Sequence, residues 1–447
     1  MIHDHEARLR TGTASVDITP GDPVEMSGYG AREGRSSGVH DPLFATALVL
    51  EDGAVTVALV SVDLLNVSRE LTRTVERMLA ADGVDLDELL LAATHTHAGP
   101  YVPARALDIS PPLRAETDVS ETVAEITEGI VEAVGRAADR IEPATIRVGN
   151  AREDGVQQNR RAAGGVGGNV RVPHGPVDPD VTALLVETES GTETVVYNFA
   201  CHPVCTTGDE TLLSADWPGY TREHVEAERD GATVLFLNGA AGDINPRGMD
   251  PDRSGEDVYD LMDRVGTRVG DAVCRALEDA ESSTKLERAP VRLDAVDVRF
   301  PLKETPSAET IRGHVADLED RLAALEERGD EVGYEKLNWD RRYAEELLAI
   351  AEWDARCLPN RIPYVEIGEL GIVGLPGEVL ARHGLEFRKR AAVETLVLAG
   401  YATDYVGYVP RLADLENVGY EVRTMKIAPE AIVEFREGVL ELVGGSI

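Results

Sequence analysis

Short, dense apolar runs that stop abruptly at histidine or at small polar residues recur along this chain. Leu89 to Ala93 is the clearest. Five small or branched apolar residues run into Thr94, His95, Thr96 and His97, and Gly99-Pro100 ends the segment. A short apolar run closed by turn residues predicts a buried strand. Residues two apart on an extended chain point to the same side, so His95 and His97 are expected to aim at one spot. Thr194 to Ala200 repeats the device and runs straight into Cys201-His202-Pro203. Thr233 to Leu237 ends instead in Asn238-Gly239-Ala240-Ala241-Gly242-Asp243, whose small residues allow close backbone approach.

The remaining pattern mixes strands with helices. Thr13 to Pro20 reads as an edge strand ended by proline. Phe44 to Leu50 and Val55 to Leu65 flank an Asp52-Gly53 turn, and the second is so apolar that burial on both faces is expected. Val67 to Ala81, Ser120 to Ile141, Tyr220 to Glu228, Asp257 to Ala280 and Pro429 to Leu442 are predicted as helices. Ile146 to Val148 is predicted as a short strand, and Val181 to Glu187 pairs with Thr194 to Ala200 as a hairpin. Val291 to Phe300, Tyr364 to Gly374 and Thr395 to Gly400 complete the strands, while Leu375-Pro376-Gly377-Glu378 opens a helix through Arg390. Glu153 to Gly175, which contains Gln157 to Arg161, is polar and glycine-rich; a surface loop and a substrate lid both fit it. Ser307 to Glu352 is rich in Glu, Arg, Leu and Ala around Gly329. That composition predicts two helices folded back on each other, solvated outside and without chemistry. The expected fold class is α/β: a mixed β-sheet core with flanking helices and a helical-hairpin insertion at about residues 305–355.

Charge narrows the partners. The 447 residues carry 44 basic and 81 acidic side chains, a net charge of -37. Phosphate binding needs a positive surface, so nucleic acid is excluded as a partner. The lysines are Lys285, Lys303, Lys336, Lys389 and Lys426, and the other basic residues are arginine. Acidity joined to lysine scarcity points to a protein of a salt-loving organism's cytoplasm, where screening relieves self-repulsion. No apolar run approaches the roughly 20 residues of a membrane-spanning helix, and the start lacks the pattern of a secretion signal. Cys201, Cys205, Cys274 and Cys357 have no disulfide-framework spacing, and Cys201-His202-Pro203-Val204-Cys205 lacks the second pair a structural zinc site needs.

His95, His97, His202, Glu378 and the Tyr405–Tyr408 segment all sit at the ends of predicted strands. Zinc takes nitrogen and oxygen ligands of these types. Singly, His202 also fits a core histidine, Glu378 a helix-start carboxylate, and the tyrosines plain packing. In order, T-H-T-H-A-G-P, N-F-A-C-H-P, N-G-A-A-G-D-I-N-P, L-P-G-E and Y-V-G-Y-V-P resemble the catalytic domain of the neutral, non-lysosomal ceramidases, from about Thr13 onward. The resemblance implies a zinc amidohydrolase that cleaves an N-acyl bond. It implies one zinc ion bound by His95, His202, Glu378 and Tyr408. His97 then carries the proton, and Tyr408 doubles as a stabiliser of the oxyanion. Tyr420 lines the substrate pocket in the same analogy, and Asn238, Arg160 and Tyr405 are expected to join it there.

Asn245 stands where ceramidases carry serine, which rules out a serine nucleophile there and leaves a metal-activated water. Candidates spread from 95 to 408 around one ion imply a single catalytic domain over 1–447, and the chain has no room for the family's C-terminal immunoglobulin-like domain. These departures favour a small-molecule N-acyl or lipid-like substrate, smaller or more polar than ceramide. An esterase or deacylase on the same site, and a non-catalytic scaffold, are the rival readings.

Overall fold

Alternation along single strands sorts the apolar residues onto two faces, and two sheets stack as a result. The computed structural model describes residues 8–30, 32–104, 118–161, 175–249, 256–416 and 419–444. The larger sheet contains β1 (Arg10–Asp17), β2 (Phe44–Glu51), β3 (Thr56–Val62), β4 (Glu88–Ala93), β5 (Glu142–Arg152), β6 (Asp180–Thr188), β7 (Glu193–Phe199) and β8 (Thr233–Asn238). Their spatial order is β8-β7-β6-β5-β1-β2-β3-β4. The β3–β4 and β7–β8 pairs are parallel, and the other neighbours are antiparallel. The smaller sheet runs β9 (Val291–Pro301), β10 (Cys357–Ile367), β11 (Leu370–Gly374), β12 (Thr395–Ala399), with only the last pair parallel.

In β4, Leu90 and Ala92 join Val365, Ile372 and Val397 in a core between the sheets. Leu89, Leu91 and Ala93 face the other way, into a core completed by α1 (Arg69–Ala81) and α2 (Ser120–Ala138). Helices α3 (Trp217–Glu228) and α4 (Glu256–Glu281) cover β6 to β8 on the same side through Val225, Val265, Val269 and Val273. The hairpin of α5 (Ala308–Glu327) and α6 (Glu331–Glu352) follows β9. Helix α7 (Ala381–Arg390), the short α8 (Tyr420–Thr424) and α9 (Pro429–Val443) come last. Phe387, Ile432, Phe435 and Val439 of α7 and α9 cover the outer face of the smaller sheet. The layers are therefore helix, sheet, sheet, helix. Each fully buried Leu or Val is worth about 1.5–3 kcal/mol, and buried side chains of this kind fill all three interfaces.

The mixed-sheet expectation holds, with local corrections. β1 is central, between β2 and β5, not an edge. Pro20 lies beyond the last paired residue, Asp17, so its missing N–H removes no ladder bond. Tyr364 to Gly374 is not one strand: Gly368 takes φ +59° and folds it into the β10–β11 hairpin. β5 is far longer than its apolar centre, since alternate polar residues face outward along it. The segment expected as a surface loop or lid begins buried: Gln157–Asn159 pairs antiparallel with Ile244–Pro246. Its continuation at 162–174 lies outside the described residues. Among the described residues no helix is long and apolar enough to cross a membrane.

Strands β4, β7, β8, β11 and β12 all release their carboxyl ends toward one place, where the sheets are stitched together. Gly400 N–H donates to the Asn238 carbonyl at 2.7 Å, and Asn198 Nδ2 donates to the Leu398 carbonyl at 2.8 Å. A net charge of -37 opposes this compaction, and the screening length falls from about 10 Å at about 0.1 M salt to about 3 Å at about 1 M. The melting temperature followed by circular dichroism is expected to rise over that range of KCl; a flat or falling trend would contradict repulsion as the main surface term.

Candidate active site

His95 does not reach the site by the two-residue period of a strand. β4 ends at Ala93, and Thr94 N–H and His95 N–H donate to the Val62 and Leu64 carbonyls, both at 2.9 Å. His95 then takes φ +74°, uncommon for a residue with a Cβ. That left-handed step turns its ring inward, where Nδ1 lies 2.6 Å from the Leu65 carbonyl. A carbonyl can only accept, so Nδ1 carries a hydrogen, and in the tautomer that this bond selects Nε2 is the bare nitrogen. His97 N–H donates to the Pro203 carbonyl at 3.2 Å, which brings its ring centroid to 5.0 Å from His95 and 5.9 Å from His202. Gly28 has φ +99°, and a Cβ on it would lie 2.6 Å from the His97 Cα.

His202 repeats the arrangement from β7. Its Nδ1 donates to the Ala241 carbonyl at 2.7 Å, and its backbone is held by Ile244 and by the Trp217 indole. Burial, and then the Arg160 charge, lower its pKa to about 3, so the ring is neutral. Cys201 and Cys205 are buried thiols.

Glu378 receives both rings. Its Oε2 lies 3.1 Å from His202 Nε2 and 3.6 Å from His95 Nε2, and Tyr405 Oη donates to Oε1 at 2.5 Å. Glu378 is not a helix-start carboxylate, because α7 begins at Ala381 and Asp243 Oδ1 accepts the Ala381 N–H instead. Glu378–Val379 pairs in parallel with Tyr408–Val409, which fixes Tyr408 beside Glu378. Gly242 makes room, since a Cβ there would lie 2.6 Å from the Glu378 carbonyl oxygen.

These residues fit a divalent cation. His95, His97 and His202 each offer a ring nitrogen, all within 4.8 Å of one another. His95 Nε2 and both His97 nitrogens are buried without a hydrogen-bond partner among the described residues. Bare nitrogens facing a carboxylate in a dry interior need a positive charge between them, and imidazole with carboxylate is a zinc-type donor set.

A sequence model of the neutral/alkaline non-lysosomal ceramidase family, N-terminal part, matches residues 9–257. The chain belongs to this ceramidase family. It is 26% identical over 483 residues to neutral ceramidase of Mycobacterium tuberculosis, covering 92% of this chain and 73% of the relative. Against neutral ceramidase of Pseudomonas aeruginosa the identity is 25% over 462 residues, covering 92% and 68%. The crystal structure of the Pseudomonas aeruginosa protein superposes with a TM-score of 0.75 at 21% identity, covering 98% of this chain and 74% of that one. A ceramidase complexed with C2 gives 0.72 at 19%, covering 98% and 75%. These structures share the fold.

Within this ceramidase-family site, two more expected substrate contacts are, like Tyr405 on Glu378, otherwise engaged. Arg160 is buried: Nε donates to Glu421 at 3.0 Å, Nη1 to Asn245 Oδ1 at 2.9 Å, and Nη2 to Tyr408 Oη and the Gly242 carbonyl, both at 2.9 Å. Burial works against its charge, but Tyr408 and Glu421 outweigh that. It therefore orients Tyr408. Burial and Glu378 push the Tyr408 phenol well above its ordinary value, and Arg160 opposes them. Asn238 departs further from expectation. Both hydrogens of its amide are used on the Thr94 and Cys201 carbonyls at 3.1 Å, which ties the His95 and His202 loops together. The Gly239, Ala241 and Gly242 N–H groups likewise donate to protein carbonyls, so that loop offers none of these three to an oxyanion.

Tyr420 lies beside Tyr408, with ring centroids 5.7 Å apart, and Trp339 of α6 lies 6.0 Å from Tyr420. Asp340 pairs with Arg423 at 3.3 Å and Glu346 with Lys426 at 2.7 Å. The hairpin, expected as two helices solvated outside and without chemistry, is thus fastened along α6 to the site's tyrosine segment. Sequence reasoning also missed Glu421 and Tyr401. The only signal for Tyr401 was its position just after Gly400, one residue past the β12 expectation.

Removing one partner of a buried ion pair costs about 3–5 kcal/mol. Arg160→Met is expected to lower the unfolding free energy by about that much, with Arg160→Met/Glu421→Gln recovering part of the loss. Urea unfolding checks it, and additive effects of the two changes would contradict the coupling.

Proposed function

We propose that this chain is a zinc-dependent amidohydrolase that cleaves the amide bond of an N-acylated, lipid-like substrate with water. One observation carries the reading: two imidazoles whose Nδ1–H groups are used on backbone carbonyls turn bare Nε2 atoms onto one buried carboxylate. His95, His202 and Glu378 would hold the ion, with Tyr408 as the fourth ligand that the family resemblance implies. A zinc ion there supplies a Lewis acid for the amide carbonyl and lowers the pKa of water to about 7. The relatives' name, neutral ceramidase, supports an amide of the ceramide type as the substrate class.

His97 is the proton carrier in this reading. Unlike His95 and His202, neither of its ring nitrogens is anchored by a hydrogen bond among the described residues. Burial lowers its pKa well below the ordinary value, so the ring is neutral before the reaction, and its unanchored nitrogens leave a lone pair open. It takes a proton from water as the oxygen attacks the carbonyl carbon. It returns that proton to the amine nitrogen as the C–N bond breaks, leaving a carboxylic acid and an amine. Arg160 holds the Tyr408 hydroxyl in place throughout. An ester would use the same groups, and matched amide and ester substrates separate the two activities.

The proximity of three ring nitrogens favours a second reading, in which His97 is itself a ligand. Two variants decide. His95→Ala is expected to lose metal and turnover together. His97→Ala is expected to keep its metal while kcat falls by about 100-fold or more. Metal content is read by mass spectrometry after dialysis, and turnover on a panel of N-acyl amides in concentrated salt, which suits the acidic surface. Metal loss from His97→Ala would favour the second reading, and a parent protein that binds no zinc would overturn both. Chelation of the parent is expected to abolish hydrolysis, with recovery on adding zinc.

A further inference from the structure

Two residues with a Cβ take left-handed backbone conformations beside the cluster, and they stack on each other. His95 has φ +74° and Tyr401 has φ +53°. Their rings lie nearly parallel, 16° apart, with centroids 3.9 Å apart, and Tyr401 also meets His202 edge-on at 6.3 Å. Such conformations cost energy and persist only where the surroundings over-determine them.

The surroundings here are the two segments that bring the site together. The Tyr401 carbonyl accepts from Ala93 N–H at 3.1 Å, two residues before His95. Its own N–H donates to the Gly377 carbonyl at 3.3 Å, one residue before Glu378. Ala92 and Ala402 form an isolated bridge, and Thr403 N–H donates to the Leu91 carbonyl at 2.8 Å. Tyr401 thus sits where the His95 strand meets the Glu378 loop. The Leu65 carbonyl fixes one edge of the His95 ring and leaves rotation about that bond open; the Tyr401 face closes it. The Tyr401 hydroxyl is buried and has no hydrogen-bond partner among the described residues, so the ring and not the oxygen does the holding.

We propose that Tyr401 is a positioning residue of the metal centre: its ring clamps His95 with Nε2 aimed at His202 and Glu378. The proposal rests on the zinc reading above, and zinc binding by the parent protein tests that reading separately. Zinc affinity is measured by competition with a chromophoric chelator, with no substrate present. Tyr401→Phe keeps the ring and is expected to bind zinc with an unchanged Kd. Tyr401→Leu keeps bulk, and Tyr401→Asn keeps a residue that tolerates left-handed backbone. Both are expected to bind about 10–100-fold more weakly, the usual effect of losing a group that orients a ligand, with melting of the metal-free proteins showing that they are folded. Parent-like affinity in the Leu or Asn variant, or loss in the Phe variant, overturns the proposal. Should the Leu and Asn variants fail to fold, proton NMR of the metal-free parent decides. Ring protons of His95 shifted upfield by the stacked Tyr401 ring support the clamp, and unshifted ones overturn it.

Discussion

Glu378 is buried with an oxygen facing two imidazole nitrogens whose hydrogens are on the far sides of their rings. That electrostatic constraint explains more of the structure than any other. A carboxylate in a dry interior must be paired or hydrogen-bonded. Its direct donor here is a phenol, that of Tyr405, while the nearest buried guanidinium is engaged by Glu421 and Tyr408. The arrangement is costly for an empty protein and favourable around a cation, which is how a binding site differs from a packing solution.

The fold meets that constraint by bringing strand ends from two sheets to one point. None of the segments could do so alone. His95 needs a left-handed turn after β4, His202 needs the Ala241 carbonyl from the loop after β8, and Glu378 needs the Gly242 position to be bare. Asn238 is the strut between the first two, and Tyr401 joins the first to the third. Small residues in N-G-A-A-G-D therefore serve backbone approach between protein segments.

The second polar layer is equally committed. Arg160 bridges Tyr408, Glu421, Asn245 and the Gly242 carbonyl, so a single guanidinium couples the tyrosine strand to α8 and to the loop after β8. Helix α6 then fastens α8 from outside through Trp339 and Asp340, and Lys426 just past it through Glu346. In this way the hairpin that follows β9 is mechanically connected to the phenol beside Glu378.

Period and punctuation in the chain already determined the alternating strands, the helices, and the histidines, glutamate and tyrosine at strand ends. Those signals are local, and burial enforces them: Leu89 and Leu90 must face different cores whatever else happens. Even the edge assignment of β1 failed only because strand order is not a local property. The tertiary structure alone decided which polar atom meets which. Arg160 looked like a loop residue until Glu421, 261 positions away, claimed its charge. Asn238 looked like a substrate contact until Thr94, 144 positions away, took one of its hydrogens. Hydrogen bonds act over about 3 Å, so their partners are fixed only when the chain has closed and distant segments lie within that reach.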